Sequence, residues 1–439
     1  ERLDQLSGAQ AARFQRDLEQ LDLPVLQRLW SIQEECEDQS APEPPVLVEL
    51  GDRAVRSDAL SRGQALLAEG KVACLTVAGG QGSRLGWDGP KGTFPSGPIT
   101  GDSLFEQFAG QIERETKRYG QAVPWCIMTS PLNHESTVAF FEQHHHFGLD
   151  PSTVHFFTQG VMPSVDRESG KVLLAASDAI AFNPDGHGGT LRALAGSGVL
   201  STLRSQGIEH LSYFQVDNPL VRALDPVFLG LHIGDAFSSG EVTSKAVAKR
   251  SADEKVGVFG VQDGRLTVLE YSDLDPEVCE ATDVHGKLKF RAGNMAVHAF
   301  GLDFLDRLTK GTGLPFHRAI KKVPFFDEST GTVQDPPAPN AVKYETFIFD
   351  ALPLATRPLV VEADRAEEFA PIKNAEGSDS VQTSQRAQSL RAANWLTQSG
   401  VQIAQDAQIE IRSSTATCPE DLALCELPEK LGPEERFLV

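Results

Sequence analysis

Val72-Ala73-Cys74-Leu75-Thr76-Val77-Ala78-Gly79-Gly80-Gln81-Gly82-Ser83-Arg84-Leu85-Gly86 is the stretch whose reading decides the fold. Its first seven residues form a nearly unbroken apolar run, which is how a strand buried on both faces reads. Glycines follow at once. Gly79, Gly80, Gly82 and Gly86 let the backbone bend with no Cβ in the way. Their N–H groups can then converge on an anion, with Arg84 and the Lys91 of Pro90-Lys91-Gly92 adding charge where phosphates would lie. A tight structural turn carrying two solvated cations fits the same residues, so the loop alone leaves both readings open. Spacing disposes of two familiar loops. A Walker A loop needs Gly-Lys-Ser/Thr, which occurs nowhere in the chain. The dinucleotide fingerprint is G-x-G-x-x-G, whereas Gly80, Gly82 and Gly86 give G-x-G-x-x-x-G, which disfavours a nicotinamide enzyme.

Outward from this loop the pattern alternates. A helix is predicted over 57–69 and another over 102–118, with Asp102 as N-cap. Then come a strand Val123 to Met128, a helix over 134–146, a strand Val154 to Phe157, a helix over 190–206 and a strand Leu211 to Val216. Strand and helix alternating at this spacing predict βαβ units and a parallel sheet covered on both faces. Val256 to Val261 and Leu266 to Tyr271 flank Asp263-Gly264 and predict a hairpin; Gly286 to Phe300 adds strand. In front lies one helix over 9–38, ended by the Pro-rich segment 40–45. Behind lie a polar stretch, 374–385, a short helix Leu390 to Leu396 and a strand at Ile409 and Ile411. The chain therefore divides into an N-terminal helical arm (1–60), a central domain (61–355) and a small C-terminal domain (356–439).

The chain has 439 residues, 40 Lys+Arg and 61 Asp+Glu, a formal charge of −21. That balance argues against a nucleic-acid partner or a polybasic membrane anchor, but not against a small phosphate-bearing ligand held by a few local cations. No apolar run approaches a membrane span of ~18 residues. Of six cysteines none forms a C-x-x-C pair, and Cys74 and Cys126 sit inside apolar runs, which points to buried thiols in a reducing, cytoplasmic compartment. The charged start Glu1-Arg2-Leu3-Asp4 does not read as a signal peptide; since the first residue is not Met, a removed leader stays open.

The glycine loop with its Pro90-Lys91-Gly92 resembles the signature of the UTP-dependent sugar-1-phosphate uridylyltransferases, and among them that of the UDP-N-acetylhexosamine pyrophosphorylases. Further motifs follow in the family's order: Ile127-Met128-Thr129-Ser130, Phe156-Phe157-Thr158-Gln159-Gly160, Pro184-Asp185-Gly186-His187-Gly188-Gly189, Val216-Asp217-Asn218, Val256-Gly257-Val258, Leu269-Glu270-Tyr271-Ser272 and Ala292-Gly293-Asn294. Val342 to Asp350 and Phe369-Ala370-Pro371-Ile372-Lys373-Asn374-Ala375 complete the series. The resemblance spans about residues 70 to 376.

It implies an α/β fold with a mixed, mostly parallel doubly wound sheet of the nucleotide-diphospho-sugar transferase type, and a cleft at the C-terminal ends of the strands. It implies that UTP and a hexose 1-phosphate are converted to UDP-N-acetylglucosamine, or a related UDP-hexose, and pyrophosphate, with Mg²⁺. By resemblance Arg84, Lys91 and Lys373 are the catalytic cations. Ala78, Gly79, Gly80 and Gly82 lie against the nucleotide, Gln159 and Gly186 read the uracil edge, and Asp217 serves the nucleotide and the metal. His187, Gly257, Glu270, Asn294 and Lys343 face the sugar. One position departs: the family usually has Gly-Asn-Gly-Gly where this chain has Gly186-His187-Gly188-Gly189, a sequence closer to UDP-glucose and broad-range UDP-sugar pyrophosphorylases. UDP-glucose is thus the alternative product. A non-catalytic UDP-sugar sensor is the alternative of another class; loss of Arg84, Lys91, Asp217 or Lys373 would favour it, and all four are present.

Overall fold

The computed structural model describes residues 2–32, 40–49, 53–234, 236–271, 274–311, 313–404 and 407–439. Its centre is a ten-stranded sheet. The strands in chain order are β1 (Leu47–Val48), β2 (Val72–Val77), β3 (Trp125–Thr129), β4 (Val154–Thr158), β5 (His210–Gln215), β6 (Val242–Ala248), β7 (Val258–Gln262), β8 (Arg265–Leu269), β9 (Ala292–Gly301) and β10 (Leu359–Ala363). Their spatial order is β1-β10-β6-β9-β5-β2-β3-β4, with the β7–β8 hairpin attached through β9. β9 runs antiparallel to β5 and β6, while β5, β2, β3 and β4 are mutually parallel. The predicted mixed, mostly parallel sheet is the observed one.

The apolar run of β2 exists because both faces of the sheet are covered. Val72 and Cys74 face a core that includes Phe105, Phe108, Trp125 and Phe141, whereas Ala73 and Leu75 face another that includes Leu194, Tyr213 and Phe300. Burial pushes the thiols of Cys74 and Cys126 well above the usual range. At the hairpin, Asp263 (φ 50°) and Gly264 (φ 73°) adopt the paired left-handed turn that the D-G signal predicts.

Several boundaries differ from the sequence reading. The single arm helix is two, α1 (Gly8–Glu19) and α2 (Leu23–Ser31). Asp22 caps the second by accepting the Val25 N–H at 3.0 Å, and Pro24 occupies its first turn, a start signal that loose apolar spacing concealed. Residues 33–38 of that prediction, Cys36 among them, and Ser272 lie outside the described residues. The predicted 57–69 helix is α3 (Arg53–Ala68). In α4 (Leu104–Tyr119) the N-cap is Ser103, whose Oγ accepts the Glu106 N–H, not Asp102. α5 (His134–Gln143) stops short of His144. The 190–206 helix breaks at Gly198 (φ 82°) into α6 (Gly189–Gly196) and α7 (Val199–Ser205). Residues 286–291 are not strand; β9 starts at Ala292. The predicted short helix Leu390 to Leu396 is the end of a longer one, α9 (Val381–Gln398), which begins inside the polar stretch 374–385 on the capping residue Ser380; a shorter α8 (Pro226–His232) lies earlier in the chain. Ile411 falls just outside the strand Gln408–Glu410. The sheet also reaches beyond 61–355, taking β1 from the arm side and β10 from the far side.

Beneath the C-terminal ends of the strands lies a charge cluster. Lys245 on β6, with a side chain 2% exposed, donates to Asp225 (2.7 Å), which caps α8, and to Glu368. Burial alone would raise the Asp225 carboxyl; the Lys245 ammonium and the Arg222 guanidinium outweigh it and hold the group below the ordinary carboxylate range. Removing one partner strands a desolvated charge. Lys245→Met should therefore destabilise the fold by about 3–5 kcal/mol, read as a lower urea midpoint at unchanged slope. A midpoint equal to that of the wild type would show that the carboxylates find other partners.

Candidate active site

The strand ends converge as topology requires. β2 leads into the glycine loop, β3 into Ser130, β4 into Gln159 and β5 into Asp217, all on one edge; β9, running the other way, begins there and carries Asn294 close to its start. The loop is pinned at its base. Ala78 donates to Met128 O (2.8 Å), and its carbonyl accepts from the Asn133 side chain (2.9 Å), which also reaches Gly80 O (3.3 Å). Asn133 Oδ1 accepts from Ser130 N–H and Oγ. The Lys91 N–H closes the loop on Gly80 O (3.0 Å). Gly82 is spent internally: its N–H donates to Gly89 O (2.9 Å), and a Cβ there would lie 2.7 Å from Trp87. The Trp87 indole is in turn held by Thr93 Oγ1 (2.9 Å) and packs on Phe94. Among the described residues no hydrogen bond takes the N–H of Gly79 or Gly80, and Gly80 faces open space. Of the four predicted loop positions, these two are free toward the cleft; Ala78 and Gly82 hold the loop in shape.

Two lysines come to the strand end at Asp217. Lys91 Nζ lies 3.5 Å from Asp217 Oδ2, both side chains less than a fifth exposed. Lys373 reaches the same place by backbone: Ile372 N–H donates to Asp217 O (2.8 Å), while Asn218 donates to Glu368 O (2.7 Å) and accepts from Ala370 N–H (3.0 Å). The Lys373 ammonium is 3.7 Å from Asp379 Oδ2, and its N–H donates to Asp379 O (2.6 Å). Arg84 is exposed on the outer turn of the loop, without an ion pair among the described residues.

Gln159 and Gly186 meet: Gln159 Nε2 donates to Gly186 O at 2.8 Å, and its Oε1 lies over Gly79. Gly186 has φ 84°, and a Cβ would come within 2.3 Å of Thr346 O, so only glycine fits. The segment is held from the far side, by Thr346 N–H on Asp185 O and Gly188 N–H on Thr346 O, both 2.8 Å. His187 Nδ1 accepts the Ile348 N–H (3.1 Å), which puts the neutral ring's proton on Nε2; the ring packs against both Phe347 and Phe349. Gly257, Glu270 and Asn294 are together: Asn294 N–H donates to Gly257 O (2.8 Å), and a Cβ on Gly257 would touch Glu270 Oε1 at 3.5 Å. Lys343 is apart from these, in a separate three-stranded sheet opposite Ala319.

The sequence reading missed Asn133, Asn218, Asp379 and His317. His317 Nε2–H donates to Asp350 Oδ2 at 2.8 Å; that hydrogen bond, with Glu270 adding charge, raises its imidazole above the usual range. Only Asn133 carried a local signal, as a polar residue directly before a helix.

An α/β sheet whose strand-end loop offers free amides opposite two lysines and a carboxylate is the architecture of a protein that handles a phosphorylated nucleotide. Comparison with known proteins narrows that class. A family model described as UTP–glucose-1-phosphate uridylyltransferase matches residues 36–411, and the chain belongs to that family of uridylyltransferases. It is 35% identical over 396 residues to a UDP-N-acetylglucosamine pyrophosphorylase of Saccharomyces cerevisiae, covering 87% of this chain and 82% of that protein. It is 36% identical over 399 residues to UDP-N-acetylglucosamine diphosphorylase 2 of Arabidopsis thaliana, covering 86% and 77%. The crystal structure of a uridine diphosphate N-acetylglucosamine pyrophosphorylase from Trypanosoma brucei, in complex with inhibitor, superposes with a TM-score of 0.84 at 25% identity, covering all of this chain and 94% of that one.

The histidines of this region set a pH response. Burial lowers His187 to about 4 against the opposing pull of Asp350, and lowers His298, on β9, to about 3. The unfolded chain, titrating near 6.5, then binds more protons than the folded one between pH 6.5 and 4, so stability is full above that window and falls as pH drops through it. His187→Asn should make the urea-derived stability fall less steeply there, by up to about 1.4 kcal/mol per pH unit. An unchanged slope would mean that His187 titrates as an ordinary solvated histidine.

Proposed function

We propose that this chain makes UDP-N-acetylglucosamine and pyrophosphate from UTP and N-acetylglucosamine 1-phosphate. The carrying observation is the convergence of free loop amides, Lys91, Asp217 and Lys373 on one cleft. A sugar-phosphate oxygen attacks the α-phosphorus of UTP, a new P–O bond forms and the bond to the β-phosphate bridging oxygen breaks. The attacking oxygen is already ionised at neutral pH, so no proton has to move. The work is to bring two anions together and to neutralise charge as it spreads. In this reading Gly79 and Gly80 receive the nucleotide, Gln159 and the Gly186 N–H select uridine, and Lys91 and Arg84 balance the triphosphate. Lys373 serves the α-phosphate and sugar phosphate, and Gly257, Glu270 and Asn294 hold sugar hydroxyls.

Asp217 suits Mg²⁺. No group of three His, Cys, Asp or Glu that could cage an ion is present among the described residues, yet one partly exposed carboxylate beside phosphate oxygens is Mg²⁺'s usual setting. Bound there, the ion would supply charge neutralisation as a Lewis acid. The free thiols, Cys74 and Cys126 among them, favour a reducing compartment such as the cytoplasm. The N-acetylated sugar is preferred over glucose because relatives named for it are 35–36% identical over most of the chain. His187 does not weigh against this: its Nδ1 serves to receive the Ile348 N–H, a task that the side-chain oxygen of the more usual Asn is chemically able to fill.

Pyrophosphate release should be seen with UTP and N-acetylglucosamine 1-phosphate, and more slowly with glucose 1-phosphate. Lys91→Ala and Lys373→Ala should each lower turnover by ~10²-fold or more. No turnover on any of a panel of sugar 1-phosphates, or wild-type rates in both variants, would overturn the reading.

A further inference from the structure

A buried carboxylate sits where the C-terminal domain meets the loop that follows Lys91. Glu410, at the end of the strand Gln408–Glu410, is 6% exposed. Its Oε2 accepts the N–H groups of Ile99 (2.6 Å) and Thr100 (2.8 Å), and its Oε1 accepts the Thr100 hydroxyl (2.6 Å). Thr100 Oγ1 accepts the Asp102 N–H in turn (3.0 Å). Successive backbone amides converging on an anion form the kind of nest that loops offer to phosphate. Here the protein fills it with its own carboxylate, and no lysine or arginine ion pair to that carboxylate is present among the described residues. Gln388 donates to Ser96 O (3.0 Å), Gln385 to Gly97 O (3.4 Å) and Arg436 to Ile99 O (3.3 Å), so the same domain also holds the loop just before Thr100.

This loop is continuous with the turn that carries Lys91. Phe94 N–H donates to Lys91 O (3.1 Å) and Leu104 N–H to Phe94 O (3.2 Å). Gly92 lies so close on Phe105 that a Cβ would be 2.2 Å from the ring. The gripping helix α9 begins two residues after Asp379, the partner of Lys373, and its Ser384 donates to Ala370 O (2.7 Å). One packed unit, α9 and the Glu410 strand sharing a core, therefore touches the Lys373 loop with its first turn and the Lys91 loop with Gln388 and Glu410.

We propose that Glu410 is a positioning residue: by filling the nest at Ile99–Thr100 it fixes the Lys91 ammonium relative to Lys373, and so the spacing of the two cations that face the reacting phosphates. The inference rests on the role given to Lys91 above. The carboxylate matters by shape and acceptor number. A glutamine at this position could keep one oxygen on the two amides and turn its NH₂ to Thr100 Oγ1, whereas alanine leaves three donors unmet and aspartate falls short.

The test is a double-mutant cycle on kcat/KM and on UTP affinity by calorimetry, with wild type, Glu410→Ala, Lys91→Ala and the double variant. Glu410→Ala should lower kcat/KM about tenfold or more and weaken UTP binding, Glu410→Gln should restore most of both, and in the Lys91→Ala background Glu410→Ala should add nothing. Leu431→Ala, which loosens the C-terminal core around Trp395 and Ile409 without touching the loop, should lower Tm and leave kcat/KM within twofold. Additive losses, no loss in Glu410→Ala, or a loss in Leu431→Ala equal to it would each overturn the proposal. If the wild type binds UTP but turns over no sugar phosphate, the proposed reaction falls and the cycle is read on UTP affinity alone. If it binds no UTP, both fall.

Discussion

The cleft depends on a single buried ammonium. Lys245 reaches from β6 to Asp225 and Glu368, and Glu368 is where the chain returns from β10 to the strand ends. Its backbone carbonyl is then bonded by Asn218, the neighbour of Asp217, and two residues on Ala370 is bonded by the same side chain. The ammonium thus fixes the rung from which Pro371-Ile372-Lys373 hangs. Such a pair gains little over a well-packed apolar set, because desolvating the charges offsets their attraction. What it gives is direction. Two carboxylates from distant segments have one geometry in which both meet one ammonium, and that geometry brings Lys373 beside Asp217.

The second constraint is electrostatic. A chain of net charge −21 has to admit two polyanions, and its mean field opposes both. The solution visible here is local. Lysines come to the strand ends, the amides of Gly79 and Gly80 have no hydrogen-bond partner among the described residues, and the two carboxylates beside those lysines are each tied to one of them. Asp217 faces Lys91 and Asp379 faces Lys373, so neither carboxylate stands alone against an incoming phosphate. A phosphate that takes those lysines competes with them, which favours a ligand of higher charge density than a carboxylate.

Much of this was legible along the chain, and the limits have a physical cause. β2 and its glycines could be read because burial on both faces writes itself into consecutive residues, and the D-G turn because its backbone angles demand those residue types. The site residues Gln159, Gly186, Asp217, Gly257, Glu270 and Asn294 came from resemblance, and the fold does bring them to one sheet edge. Ala78 and Gly82 read as ligand contacts, yet their groups are spent on Met128, Asn133, Gly89 and Trp87. A glycine demanded by a tryptophan looks the same in sequence as one demanded by a phosphate. Lys245 and Glu410 could not be found at all, since their partners lie on other elements and no local period records a contact made across the fold. The helix breaks at Asp22 and Gly198 were missed for the opposite reason: the signals were local, but the apolar spacing continued through them.

Glu410 and the glycine loop show one device used twice. At Ile99–Thr100 a tight run of backbone presents N–H groups to an anion, and in the proposed reading the run at Gly79–Gly80 does the same. At Ile99–Thr100 the anion is built in, arrives from a segment about 310 residues away in sequence and never leaves. At Gly79–Gly80 no hydrogen bond among the described residues takes the amides. The difference separates structure from site, because a nest that is always filled can serve as a joint, whereas one that is emptied and refilled can serve turnover only if its neighbours hold it in shape meanwhile. Asn133 bracing Ala78 and Gly80 from below, and the Lys91 N–H closing on Gly80 O, are that support. The C-terminal domain extends it past Lys91, and for that reason it belongs to the cleft mechanically although its own core around Trp395 is separate.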